Sequence, residues 1–539
     1  MKIIFFHSLL FTYIIYLHGF IFLKKILRSK EIYNFYEISL IGLIITIIFA
    51  QFLNFLIPLN DSLLILNIIL LLIYSFFSYK ILIKSLKIDL RILFILGIVS
   101  LINIYGSGFS DDINHYHYSF IANTDIKNFI WGNSFLHPLY GTAPSWLVGH
   151  SYFNFDQFRL QDIHVLNGII LFLVMGCFLS KLYSNDKKKF YYPIFFSIIF
   201  FILLKYTRLK EFGIDRPSTL IFCFLIYYYL KFFSDFNKTE IRNNFIIILL
   251  LSISIFSIKV IYLPVLFFPL IIFYRNKSFL LKKDISYLIV LLPIFIFVTK
   301  NLLGTGCFIY PVENSCVKFI SWSNYLGAKE LSISAEIFNK SWHSYSGEIS
   351  KENYIQNFNW LSTWFERGKN EIFELFLIIF SIIIITFFLF DLKPKKIHSI
   401  NIYFNDFKII LLLIVIFSTL IYFLKNPVIR MNHFAVISLM ILIISIMFRF
   451  DIGNHKKNFI SILLIIGLIF NLSKNIKRIS ANNFVNNPYS TISEKVSNQK
   501  KKNIDNFTYY LGWYGNAPVA SQNLINRKYK KILIFDIIY

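Results

Sequence analysis

Apolar residues fall along this chain in blocks of about 15 to 20, the length a helix needs to cross most of a bilayer's hydrocarbon core. The blocks run at about 1–23, 38–57, 62–79, 92–106, 160–182, 192–206, 218–233, 244–257, 260–274, 285–301, 373–391, 408–424, 433–449 and 458–473. None shows the strict alternation of a half-buried strand, and each is too long for a buried one. The pattern predicts an all-α polytopic membrane protein with about 13 to 14 transmembrane helices.

The connectors 24–37, 80–91, 181–190, 231–244, 275–286 and 392–408 are rich in lysine, which the positive-inside rule assigns to the cytoplasm. Alternate connectors then lie outside, including two long polar loops, 107–159 and 306–374. The count closes only if the stretch 244–274 crosses twice or re-enters, with Ser257-Ile258-Lys259 as a tight external turn. The expected layout is a membrane domain, 1–473, and a small extracytoplasmic tail, 474–539, in which Ile532-Leu533-Ile534-Phe535 is a candidate strand. No small-residue cleavage site follows the first apolar run, so it is expected to be retained as a span and not removed as a signal peptide.

Composition sharpens this picture. The chain has 539 residues, 56% of them hydrophobic and only 15% charged. Its formal net charge of +25 resides between the apolar blocks, where Lys and Arg set orientation and meet lipid headgroups. A nucleic-acid partner is therefore not expected; membrane lipids are. Of four cysteines, Cys177 and Cys223 lie within apolar blocks, whereas Cys307 and Cys316 bracket a short polar loop. A disulfide between them is expected if that loop faces an oxidising compartment.

Candidate chemistry concentrates in Asp111, Asp112, His115, Tyr116 and His117, which follow directly on the fourth apolar block. Ionisable groups at a membrane edge are functional by default. Their oxygens and nitrogens suit a divalent metal, yet their spacing matches no defined zinc motif, so no metal ligand is assigned and a divalent ion stays an alternative. A single carboxylate near a cation suffices for general-base chemistry on a hydroxyl. Candidate cations on the same external side are Lys259 at the hairpin turn, Arg216 with Arg208 and Lys210 in the connector 206–217, and Arg430 at the mouth of a later span. Lys and Arg are the groups that hold phosphate. Neither a phosphate-binding G-x-x-x-x-G-K-[ST] loop nor a dinucleotide glycine fingerprint is present. A donor for group transfer would come dissolved in the membrane.

Residues 112–117, Asp-Ile-Asn-His-Tyr-His, carry a D-x-x-x-Y-H signature in the first large external loop, followed by Trp131 and Asn133. Ile214-Asp215-Arg216-Pro217 forms a short Asp-containing turn before a span, Ser257-Ile258-Lys259 a lysine-tipped hairpin, and Asn301 to Pro311 a segment opening the second large loop. Arg430-Met431-Asn432-His433-Phe434 is similar to a late D-x-R-F element without its Asp. In this order, over residues 92–440, the chain resembles bacterial polytopic proteins related to the GT-C glycosyltransferases.

The resemblance implies a polyprenyl-phosphate sugar donor, a cell-surface glycan or lipid acceptor, and inverting transfer on the external face of a bacterial inner membrane. Asp112 would be the base, with Asp111 as neighbour or substitute. His115, Tyr116, His117, Trp131, Asp215, Arg216, Lys259, Asn301 and Arg430 would contact substrate, and the tryptophans 131, 146, 360 and 364 would stack on sugars. Two rival classes are a surface-polysaccharide polymerase or ligase, which predicts arginine-dominated loops, and a transporter or flippase, which predicts inverted repeats and broken spans.

Overall fold

The computed structural model describes residues 2–31, 33–85, 88–106, 112, 116–142, 144–154, 165–183, 191–209, 212–234, 238–280, 285–390, 401–447, 456–481, 500–511, 518–521, 524 and 527–539. Every apolar block contains a helix. The first four are α1 (Lys2–Ile21, running on as a π turn to Ile26), α2 (Phe35–Leu56), α3 (Asp61–Ser85) and α4 (Leu90–Tyr105). Loop one adds α5 (Tyr118–Ile126) and α6 (Ser145–Tyr152). There follow α7 (Leu166–Leu182), α8 (Tyr192–Lys205), α9 (Asp215–Ser234), α10 (Lys238–Ile258), α11 (Phe267–Leu280) and α12 (Ile285–Thr305). Loop two holds α13 (Tyr325–Asn339) and α14 (Lys351–Ile355), and α15 (Leu361–Leu389), α16 (Asn401–Leu424), α17 (His433–Met447) and α18 (Lys456–Ser480) complete the helical part. Among the described residues, eight helical segments are long and apolar enough to cross a membrane, and five further apolar helices are shorter.

The described side chains of α7, α9 and α10 are nearly all buried, whereas α3 and α15 expose one flank rich in Phe, Ile and Leu. That division fits a bundle solvated by lipid, because apolar groups need no protein cover there. α1 and α2 cross so closely that a Cβ on Gly19 or Gly42 would overlap the facing backbone carbonyl of Ile38 or Ile15. Small residues permit such an approach, and dispersion between the backbones holds it.

Buried polar groups tie helices together across the bundle. Asn103 of α4 donates to Asn471 Oδ1 of α18 at 3.0 Å, and Asn475 Nδ2 returns a bond to Asn103 Oδ1 at 3.1 Å. Asn471 Nδ2 also donates to the Leu203 carbonyl of α8 at 3.2 Å. In a lipid-solvated bundle an unmade bond of this kind has no water to replace it.

Several boundaries differ from those the hydropathy predicts, that of α15 by the most. α15 starts at Leu361 and so takes over the end of the polar loop, because its first turns are amphipathic and escape an apolar count. α18 likewise runs to Ser480, its last turn anchored where Arg478 donates to the Thr207 carbonyl. Beyond it come a three-stranded sheet of β1 (Lys500–Ile504), β2 (Phe507–Leu511) and β3 (Val519–Ala520), and a hairpin of β4 (Tyr529–Ile532) and β5 (Phe535–Ile538). The expected single strand 532–535 is thus the turn of that hairpin: Ile532 pairs with Phe535 across Leu533 and Ile534.

This appendage docks on loop one. Trp131 N donates to the Asp536 carbonyl at 2.9 Å and Ile538 N to the Trp131 carbonyl at 3.0 Å, a short parallel bridge. Lys127 pairs with Asp536 at 3.0 Å. Asn123 accepts from Val519 N at 2.7 Å and donates to its carbonyl at 3.3 Å.

Candidate functional site

Four charged side chains from four distant segments meet at one end of the bundle. Asp215 opens α9, Lys259 follows the last residue of α10, Arg430 lies in a 3-10 turn before α17, and Asp112 precedes α5. Lys259 Nζ is paired with Asp215 Oδ1. Arg430 Nε lies 3.3 Å from Asp215 Oδ2, and its Nη2 lies 3.7 Å from Asp112 Oδ2. Arg430 therefore bridges the two carboxylates, and Asp215 is shared between two cations. The Asp112 and Arg430 side chains are 46% and 51% exposed, against 19% for both Asp215 and Lys259. The open half of the cluster is the half that carries Asp112.

Local structure explains why these groups point together. α10 ends at Ile258, Lys259 is extended, and a 3-10 turn over Val260–Leu266 sends the chain back as α11, so Lys259 stands at the tip of the tight turn expected from its sequence. Ser145 of α6 and Ser257 are 3.1 Å apart through their hydroxyls, joining loop one to that tip. Thr219 Oγ1 and the Tyr262 hydroxyl both donate to the Asp215 carbonyl, at 3.1 and 3.3 Å, and hold the first turn of α9 against the 3-10 turn.

Tyr116 and His117 lie within electrostatic reach of Asp112, Asp215 and Arg430. His117 is buried, and neither ring nitrogen has a hydrogen-bond partner among the described residues. Burial lowers its pKa from 6.5 to about 4, with Lys259 and Arg430 acting in the same direction and Asp112 and Asp215 opposing. The ring is neutral at pH 7, with one N–H to donate and one nitrogen to accept. Burial also pushes the Tyr116 phenol well up, helped by Asp112 and Asp215, so it stays protonated. Its ring lies 4.3 Å from that of His117, edge to face.

The other candidate residues are placed as follows. Arg216 lies over the Tyr206 ring, 5.6 Å from its centroid, and its Nη1 is buried without a hydrogen-bond partner among the described residues. Trp131 is engaged with the appendage, packing on Phe535 and Trp322. Asn301 donates to the Phe297 carbonyl at 2.9 Å and accepts from Tyr310 N at 3.3 Å, fastening the start of loop two. Asp111, His115 and Lys210 lie outside the described residues. Trp146 and Trp360 are fully buried, so neither presents a face to a sugar in this state. Trp146 instead donates to Asn167 Oδ1 at 2.8 Å. It belongs to the core and not to an interfacial belt, because α6 is buried throughout. Cys307 and Cys316 are joined in a disulfide.

Sequence reasoning missed His433, buried beside the cluster with its Nδ1 3.5 Å from the Tyr206 hydroxyl. Its position in the Arg430–Phe434 element was the available signal. No group of three or more His, Cys, Asp or Glu side chains is placed to hold a metal among the described residues. Both described aspartates are instead matched to cations.

A protein-family profile, Domain of unknown function (DUF8201), matches residues 1–431. The chain belongs to this family. The DUF8201 segment contains Asp112, Asp215, Lys259 and Arg430, while α17, α18 and the appendage lie beyond it. No curated protein and no solved structure matches the chain.

Proposed function

We propose that this DUF8201 chain is an integral membrane glycosyltransferase that moves a sugar from a polyprenyl-phosphate donor to a cell-surface glycan or lipid acceptor. The observation that carries this reading is the meeting of Asp112, Asp215, Lys259 and Arg430 at one end of the bundle. A half-exposed carboxylate beside Arg430, with Lys259 joined to the same cluster through Asp215, has the parts that displacement at a sugar phosphate requires. Asp112 takes the proton of the acceptor hydroxyl, whose oxygen forms the new bond to the anomeric carbon from the side opposite the phosphate. The bond from that carbon to the phosphate oxygen breaks, and its electron pair stays on the polyprenyl phosphate, where Lys259 and Arg430 offset the charge. The anomeric centre is inverted.

Arg430 has a further part in this scheme. Without substrate it reaches both carboxylates; a phosphate arriving at Lys259 and Arg430 offers a competing anion and releases Asp112 to its acceptor. Neutral His117, without a hydrogen-bond partner among the described residues, supplies a hydrogen bond to substrate, and Tyr116 adds a hydroxyl. Asp215 positions the two cations.

The lysine-rich connectors, the Cys307–Cys316 disulfide and the position of the cluster opposite Lys231 on α9 all support an external active face. The same pattern supports reading about 13 to 14 helices as spans in a GT-C-like arrangement within a bacterial inner membrane. Leu263, about half exposed four residues beyond Lys259, begins an apolar surface on which a polyprenyl tail would lie.

The test is transfer of radiolabelled sugar from a panel of polyprenyl-phosphate donors by the purified protein, with Asp112→Asn beside the unaltered chain. Transfer by the latter and a loss of about 10²–10⁴-fold in the variant, the usual worth of a positioned base, are expected. Equal transfer by both would remove Asp112 from the mechanism. No transfer from any donor by folded protein would overturn the assignment.

A further inference from the structure

The turn of the β4–β5 hairpin presents Ile532, Leu533 and Ile534 outward, with Leu533 85% exposed. Leu533 has φ +55°, left-handed backbone that the first residue of a two-residue hairpin turn normally assigns to Gly, Asn or Asp. A large apolar side chain is kept there against both its solvation and its backbone preference. Such outliers point to function.

Three observations indicate what the tip meets. First, Asn128 Nδ2 donates to the Ile534 carbonyl at 2.7 Å, and the next residue, Phe129, donates its N–H to the Asn54 carbonyl at 2.8 Å, in the last turn of α2. The tip thus lies level with the end of a candidate span, where Leu56 and Ile57 are themselves exposed. Second, Lys530 and Lys531, both exposed, immediately precede it. Third, Phe535 packs on Trp131, and Trp131 on Trp322, with centroids 5.3 and 5.1 Å apart. Phe319, near Trp322 in loop two, is 92% exposed and follows another lysine, Lys318. Aromatic residues at span ends and lysines beside apolar tips are the marks of a surface that lies in the headgroup region.

We infer that the hairpin tip 532–534 dips into the phospholipid interface on the side of the charged cluster, with Lys530 and Lys531 against lipid phosphates. The appendage is then held at two points, by lipid at its tip and by loop one at residues 123–131. Loop-one backbone is thereby fixed in depth relative to the membrane. This inference needs only the membrane bundle and is independent of the glycosyl-transfer chemistry.

The experiment uses the full chain in phospholipid nanodiscs. An environment-sensitive dye is attached to Leu533→Cys; Cys177 and Cys223 are buried and Cys307 is bonded to Cys316, so the new thiol is the reactive one. Phospholipid carrying a nitroxide near its headgroup is expected to quench the dye several-fold more strongly than aqueous iodide does, whereas a dye at Lys501→Cys on the exposed strand β1 should show the reverse. Iodide quenching at residue 533 as strong as at 501 would overturn the inference. So would shielding from both quenchers, which would mean that protein, a second copy included, covers the tip. A second variant guards against perturbation by the label: with the dye at Ile534→Cys, adding Leu533→Asp should expel the tip and raise iodide quenching several-fold, and an unchanged signal would equally sink the idea.

Discussion

Helix α9 carries a charged cluster at each end, and the two are built on opposite plans. Asp215 stands at its start with Lys259, Arg430 and Asp112. Lys231 stands sixteen residues later, about 24 Å away at 1.5 Å per residue. There it pairs with Glu31 and lies 3.6 Å from Glu37, with its ammonium 4.6 Å from the Tyr33 ring centroid. Glu37 also takes a hydrogen bond from the Tyr227 hydroxyl and closes a capping box with Asn34 at the start of α2. The Lys231 and Glu37 side chains are 5% and 2% exposed. Every group in that inner cluster is already engaged with another part of the protein. In the outer cluster the most exposed members are the pair with the longest separation, and the nitrogens of a buried histidine beside them have no hydrogen-bond partner among the described residues. Charge that is closed on itself fixes helices in place, while charge that is open on one side is available to a ligand.

The largest effect should come from breaking the closed cluster. Lys231→Met leaves two carboxylates without their cation, and loss of one partner of a buried pair costs about 3–5 kcal/mol. The thermal unfolding midpoint in detergent should fall steeply, with transfer per folded molecule unchanged. An unmoved midpoint would end the contrast between the two ends. Lys259→Gln should behave the other way, lowering transfer about 10²–10³-fold, the scale of one lost electrostatic contact to a transition state, while stability falls by about 1 kcal/mol, as for a partly solvated ion pair. If unfolding and activity instead fell together, the outer cluster would be structural as well.

His117 sharpens the contrast through pH. Its folded pKa, near 4, lies below the unfolded value of 6.5, so the unfolded chain binds more protons across that interval. The stability it contributes is complete above pH 6.5 and is lost as pH falls toward 4. His117→Phe should flatten the acid limb of a stability–pH profile relative to the unaltered chain; superimposable profiles would show that His117 is not carrying it. The smallest effect is expected at Arg275, which meets Asp406 with two bonds of 3.0 and 3.1 Å and is itself half exposed. This pair lies at the same end of the bundle as Lys231. Arg275→Gln should lower stability by about 1 kcal/mol and leave transfer unaltered. A large loss of transfer would mean that openness alone does not mark the functional end.

Helix positions were legible in the sequence because an apolar block leaves its signature in consecutive residues. Asp112, Lys259 and Arg430 were legible for a related reason: each is an ionisable group where an apolar block begins or ends. The inner cluster was not, since Lys231 sits in a lysine-rich connector and reads as one more headgroup-facing cation; only the fold shows Glu31 and Glu37 closing over it. Asn103, Asn471 and Asn475 were equally silent, because a single amide in an apolar run scarcely changes hydropathy and its partners lie on other helices. Nor does periodicity show that the appendage pairs with residues 123–131, as β-bridges across hundreds of residues carry no local mark.

That last pairing orders events during synthesis. Asn128 and the residue whose carbonyl it binds, Ile534, are 406 positions apart, so at about 5–20 residues per second a ribosome takes roughly 20–80 s to pass from one to the other. Through that interval α5 is without its brace, and a chain halted before Ile534 would never acquire it. Docking of the appendage on loop one is in this sense a late event of translation, later than the synthesis of all four charged residues of the cluster.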